Sequence, residues 1–164
     1  MAEQTYNITF DDGKETRLDN ILIGELWLCS GQSNMEMPMK GFKNQPVEGA
    51  NEDCLNSNNN DIRLFTVKRN STIEQQRDVE GKWEKACPET VREFSATAYY
   101  FGRMLNKNLN VPVGLIVSAW GGSACEAWMK ADWLKAFPSA KIPQSQNDIN
   151  KSQNRTPTGL YNAM

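Results

Sequence analysis

The sequence contains no histidine. That removes the side chain most often used as base for a serine nucleophile, and the commonest imidazole ligand for zinc. Cysteine does not fill the gap. Cys29, Cys54, Cys87 and Cys125 are scattered with no C-x-x-C spacing, so no structural metal site is expected. Four thiols in 164 residues do not make a disulfide scaffold either, and a Cys54–Cys87 bridge is a pairing the sequence permits without determining. Blocks of like charge are missing too. Eighteen Lys and Arg against twenty Asp and Glu give a net charge of −2, which suggests neither nucleic acid nor an anionic membrane as partner. No apolar run approaches the length of a membrane span. The start, MAEQTYNITFDDGKE, has no apolar h-region and is not a signal peptide as written, which leaves the compartment open.

What is present fits one domain with a core of its own. Residues 5–10 alternate, Asp11-Asp12-Gly13 interrupts them, and 14–19 extend again, the pattern of a hairpin. ILIGELWLCS, 21–30, reads as a buried strand, with Cys29 and Trp27 as core residues. Residues 40–60 are polar with Gly, Pro and an Asn run, a surface loop with a short helix near 47–55. A strand is predicted over 62–69, and an irregular stretch over 82–91. Phe94, Ala98, Phe101, Leu105 and Leu109 share one face of a helix that Val111-Pro112 ends. VGLIVSAW, 113–120, is a central strand that stops at Gly121-Gly122. A second helix is predicted over 126–137, and a polar loop over 139–158.

Apolar strands with helices between them argue for a parallel sheet covered on both faces, an α/β fold. In such sheets reactive groups collect beyond the carboxyl ends of the strands. Ser33, in Gly31-Gln32-Ser33, and the Gly121-Gly122 pair each follow a predicted strand end. A serine nucleophile needs a base and donors for the oxyanion. The Ser33 turn lifts a hydroxyl out of the sheet, and a glycine pair lets backbone N–H groups approach a substrate closely. Glu36 lies three residues past Ser33, but a carboxylate is a weak base for a serine. Trp120 and Trp128 flank the glycine turn, where an aromatic face can floor a pocket, although core packing is the commoner fate of such rings.

The stretch GELWLCSGQSNMEMPM resembles the first block of the sialate O-acetylesterase family, a carbohydrate-esterase branch of the SGNH hydrolases. FSATAYYFGRML, VPVGLIVSAWGGSACEAWM and the closing LYNAM continue the resemblance, and YNITFDDGKETRLDNILIGE is similar to the end of a β-rich domain that flanks such enzymes. The resemblance implies a three-layer, flavodoxin-like α/β fold, in which 1–20 is a hairpin from the flanking domain and 21–164 the amino-terminal part of the esterase domain. It implies hydrolysis of O-acetyl esters on sugars, typically sialic acid or a sialoglycan, without metal or organic cofactor. Ser33 takes the role of nucleophile. Its N–H and that of Gly122, or else Gly121, become oxyanion donors, with Gln32 and Asn34 bracing the loop. A secreted, periplasmic or lysosomal setting goes with the family.

The family also uses a Gln-Gly-Glu segment and an Asp-x-x-His that supplies the base, and neither is among these residues. The chain alone is therefore expected to be inactive, and its incomplete sheet to expose an apolar edge that invites pairing with another copy. Two alternatives stand beside this expectation. One is a glycan-binding chain without catalysis. The other is an esterase of the same superfamily for a different ester, such as acetylated xylan or a short lipid.

Overall fold

The structure, a computed structural model, describes residues 5–164. β1 (Tyr6–Asp11) and β2 (Glu15–Ile21) form an antiparallel hairpin as a sheet of their own. At its tip the Asp11 carboxylate accepts the Gly13 N–H at 2.9 Å, and Gly13 takes the positive φ of +101° that a non-glycine residue would resist. No residue of β1 is buried, and Ile8, Phe10 and Leu18 are open to solvent. Asn20 Oδ1, accepting from Arg63 at 3.1 Å, ties the hairpin to the main body.

The run predicted as one strand over 21–30 is divided. β2 takes Ile21, and β3 (Glu25–Gly31) begins after a break at 22–24. With β4 (Asn59–Thr66), β5 (Trp83–Ala86) and β6 (Val113–Ala119) it makes a four-stranded sheet in the order β3-β6-β4-β5. The first three strands are parallel and β5 runs antiparallel beside β4. The mostly parallel sheet with its helices is the α/β architecture expected from the sequence.

One face of the sheet holds the core. Val113, Leu115 and Val117 of β6 and Ile62 and Leu64 of β4 join Ala98 and Tyr99 of the long helix over Ala96–Leu109. That helix sits close enough that a methyl added at Gly102 would come within 2.5 Å of Leu115 Cδ1. The other face is open along β3. Leu26 and Leu28 are 63% and 68% exposed, although Cys29, pointing inward, is buried. The stretch over 21–30 is therefore strand at Ile21 and from Glu25 onward, and it is mostly exposed rather than buried. Among the described residues β3 is an edge, paired only with β6, and an apolar run does not say which residues cover the strand. Trp27 is corrected with it. The ring is 42% exposed and packs edge-on to Phe101, with centroids 5.1 Å apart, at the rim of the core. All four cysteines are free, so Cys54 and Cys87 form no bridge.

In chain order the helices are α1 (Ser33–Glu36), α2 (Ala50–Leu55), α3 (Pro88–Glu93), α4 (Ala96–Leu109), α5 (Ala131–Leu134) and α6 (Gln146–Asn150). The stretch over 82–91, read as irregular, contains β5 and the start of α3, with Pro88 in the first turn of the helix. The helix predicted over 126–137 breaks into a 3₁₀ turn, Cys125–Trp128, and α5. The reason is competition for carbonyls. Ala127 O accepts from Leu160 and Tyr161, and Glu126 O from Met129 and Thr158, so the oxygens a continuous helix would use bind a distant segment. Within the predicted loop over 139–158, Ser145 and Asp148 cap α6 reciprocally. Among the described residues no helix is long and apolar enough to cross a membrane.

Candidate active site

Register places the two turns together. Gly31 at the end of β3 pairs with Ala119 at the end of β6, and the Trp120 N–H donates to Gly31 O at 3.2 Å. The chain therefore leaves both strands at one place, and α1 begins at Ser33. Gln32 O accepts from the N–H groups of Met35 and Glu36 at 3.0 and 2.9 Å, which winds the turn tightly around Ser33. The Ser33 side chain is exposed, and its Oγ lies 3.4 Å from Gln32 Oε1, a long and weak contact. Asn34 is held through its backbone, with its carbonyl accepting from Thr97 Oγ1 at 3.0 Å. The Ser33 N–H has no hydrogen-bond partner among the described residues.

A single carboxylate organises the second turn. Glu36, with a side chain only 16% exposed, accepts the Gly121 N–H at 2.7 Å and pairs with the Arg69 guanidinium, just beyond the end of β4. Arg69 in turn lies over the Trp120 ring, 5.6 Å from its centroid. The two glycines are needed for different reasons. A Cβ at Gly121 would stand 2.2 Å from Glu36 Oε2 and 3.8 Å from Ser33 Cα, so this position has no room for a side chain. At Gly122 the reason is φ, +70°, with only Asn154 Nδ2 near an added methyl, at 3.5 Å. Asn154 Nδ2 donates to Gly121 O at 2.9 Å, holding the turn from its far side.

Ser33, Gln32, Gly121 and Gly122 thus meet at one point, with the Gly121 N–H already engaged by Glu36 and the Gly122 N–H without a partner among the described residues. Trp120 stands beside them, its ring under Arg69. Trp128 is half-buried and directs its Nε1–H to Ser123 Oγ at 2.9 Å, bracing the loop after the glycines. Sequence reasoning missed Arg69 and Asn154 and saw Glu36 only as a poor base. Arg69 closes the strand predicted over 62–69, and a charged residue at the carboxyl end of a predicted strand was the available signal for it. A cleft of about 890 Å³ lies elsewhere, between the hairpin and the starts of β3 and β6, lined by Ile23, Leu26, Arg63, Trp83 and Pro112 among others, at the opposite end of the strands from Ser33. Among the described residues no cluster of three His, Cys, Asp or Glu is placed to hold a metal ion.

Comparison with known proteins gives this geometry its context. Residues 23–153 match the family model described as carbohydrate esterase, sialic acid-specific acetylesterase. Sialate O-acetylesterases of Pongo abelii and Homo sapiens are each 35% identical, over 145 and 148 residues, and that of Rattus norvegicus is 33% identical over 144. Each match covers 83% of this chain but only 25–26% of the relative, so the chain spans about a quarter of their length. The crystal structure of a carbohydrate acetylesterase from Xanthomonas citri superposes with a TM-score of 0.77 at 34% identity, covering 93% of this chain and 32% of the other. The Ser33 turn and the glycine turn both fall inside the matched residues, and the chain belongs to the sialic acid-specific acetylesterase family of carbohydrate esterases.

Proposed function

We propose that this chain carries the nucleophile side of a serine esterase site that removes O-acetyl groups from sugars, with sialic acid as the sugar. Ser33 Oγ attacks the acetyl carbonyl, and the new C–O bond converts it to a tetrahedral oxyanion. The N–H groups of Ser33 and Gly122 stabilise that charge, while the Gly121 N–H stays with Glu36. Collapse breaks the bond to the sugar oxygen, which leaves with a proton, and water then releases acetate from the acetyl-serine. The proton steps need a base stronger than any group touching Ser33 Oγ here, whose neighbour is the Gln32 amide oxygen. An Asp-x-x-His outside these 164 residues fills that role, and the chain alone is expected to be inactive. Gln32 and Asn34 brace the loop, and Trp120 and Trp128 border the space above the glycine turn. No metal or organic cofactor enters the reaction.

The observation that carries the proposal is the meeting of the Ser33 turn and the Gly121-Gly122 turn at the ends of two paired parallel strands. The exposed hairpin fits the companion proposal that 1–20 closes a flanking β domain and 21–164 opens the esterase domain, since two strands alone are marginal in water. The test is acetate release from O-acetylated sialic acid by the 164-residue chain and by a version extended through an Asp-x-x-His segment. Turnover by the extended version alone, abolished in Ser33→Ala, is the expected result. Turnover by the short chain would place a base within it and overturn the mechanism. Glycan binding with no hydrolysis by either version would make it a binding chain, and preference for acetylated xylan would change the substrate.

A further inference from the structure

We infer that Glu36 is a positioning residue for the esterase site: its carboxylate fixes the glycine turn against the nucleophile turn, and Arg69 neutralises it so that it can do so beside a developing oxyanion. The inference rests on Ser33 being the nucleophile, and it assigns a task to a residue that no part of the reaction itself requires.

Three observations converge on Glu36. It closes α1, three residues after Ser33, so its backbone is fixed by the same tight turn that presents the hydroxyl. Its Oε2 takes the Gly121 N–H at 2.7 Å, a charge-assisted hydrogen bond across the ends of β3 and β6. Its Oε1 pairs with Arg69, beyond the end of β4. One side chain therefore joins the ends of three parallel strands around the place where acyl chemistry is proposed. The contact also decides which donor remains. With the Gly121 N–H directed into the protein, the Gly122 N–H is the one left to face substrate, and the αL conformation of Gly122 sets its direction.

The charge needs Arg69. An unpaired carboxylate in contact with Gly121, itself beside Ser33, would oppose negative charge forming on the substrate oxygen, most strongly once substrate has displaced water. The guanidinium offsets that field and, lying over Trp120, is itself held in place. A neutral acceptor such as glutamine would keep the hydrogen bond to Gly121 while giving up the pair with Arg69, which separates the two contributions experimentally.

The experiment uses Glu36→Ala, Glu36→Gln and Ser33→Ala, each in the 164-residue chain and in the extended version. In the short chain, amide hydrogen exchange and the amide proton shift of Gly121 are read by NMR. Glu36→Ala should speed Gly121 exchange at least tenfold and move its proton upfield, whereas Glu36→Gln should keep exchange within about threefold of wild type, near the protection a retained hydrogen bond provides. In the extended version Glu36→Ala should lower kcat at least tenfold with KM changed less than threefold, and Glu36→Gln should recover most of the loss. Unchanged Gly121 exchange in Glu36→Ala, or equal damage to kcat from Ala and Gln, would overturn the inference. Hydrolysis that persists in Ser33→Ala would instead sink the nucleophile assignment, and the exchange result would still decide whether Glu36 holds the turn.

Discussion

Replacing Gly121 by alanine tests the packing of the site without touching Ser33. The added methyl would stand 2.2 Å from Glu36 Oε2, about 1 Å inside ordinary carbon–oxygen contact, and it is backed by Ser33 Cα at 3.8 Å. The atom in the way is the far end of the Glu36 side chain, so the carboxylate swings away. It then loses the Gly121 N–H, a hydrogen bond to a charged group worth about 1.5–3 kcal/mol. Overpacking of this kind costs about 1–3 kcal/mol where neighbours must shift. The two are alternative descriptions of one displacement rather than separate costs, so a total of about 2–3 kcal/mol is expected. With a urea slope of about 2 kcal/mol per molar, the midpoint should fall by about 1–1.5 M.

The double variant makes the prediction sharp. In a Glu36→Ala background the space beyond Gly121 is empty and the hydrogen bond already gone, so adding Gly121→Ala should cost under about 0.5 kcal/mol more. Gly122→Ala behaves differently. Its methyl has room, and its cost is the left-handed backbone alone, about 1–2 kcal/mol in either background. Urea titrations of the four Gly121/Glu36 combinations, followed by tryptophan fluorescence and circular dichroism, measure the coupling. Additive losses would refute the reasoning, because they would mean that the methyl and the carboxylate do not compete for one space.

Gly102→Ala should destabilise the chain by about 1–3 kcal/mol in the same titration, since its methyl would press on Leu115 in the core between α4 and β6. Hydrogen bonds from Arg103 and from Tyr100, at 2.7 Å, hold the Asp53 carboxyl below its usual pKa, so its stabilising contribution is present at neutral pH and is lost as pH falls below about 4. Asp53→Asn should flatten that acid limb in a midpoint-against-pH series. Burial first, and then the hydrogen bond to Asp53, pushes the Tyr100 phenol up to about 12, so stability should fall between pH 10 and 12. Tyr100→Phe should reduce the slope, with the buried Tyr99 phenol, also raised, supplying the remainder. Self-association through β3, proposed because Leu26 and Leu28 are exposed on an unpaired edge, should appear by sedimentation and diminish in Leu28→Lys.

Much of the fold was legible because its signals are local. The hairpin around Asp11-Asp12-Gly13, the apolar run at 113–120 and the period of 94–109 each name an element from their own residues, and α2 falls inside the short helix expected near 47–55. The buried side of α4, however, runs through Ala98, Tyr99 and Gly102, with Phe101 and Leu109 exposed and Phe94 outside the helix. The failures share a cause outside the segment. The helix pattern over 126–137 is real, but the N–H groups of residues 158, 160 and 161 compete for its carbonyls, and nothing within the segment reports that competition. The exposure of β3 depends on which strand lies beside it, which is a property of the sheet. Two misses were avoidable. Pro88 before a run of helix formers and Ser145 three residues before Asp148 are helix starts that can be read by eye.

The site divides along the same line. Ser33 and Gly121-Gly122 could be proposed from the sequence because a nucleophile turn and a glycine turn have signatures of their own, and the structure brings the two turns together. What joins them does not. Glu36 bonds to a residue 85 positions away, and Arg69 reaches the same carboxylate from beyond the end of β4. Glu36 has no mark in the sequence beyond being charged, and Arg69 only its place at the end of a predicted strand. On the mechanism proposed above, the Glu36–Gly121 hydrogen bond leaves the Gly122 N–H as the glycine donor to substrate, with Arg69 pairing the same carboxylate. The motif then supplies the proposed attacking atom, whereas the long-range contact decides where the charge produced by that attack would be received.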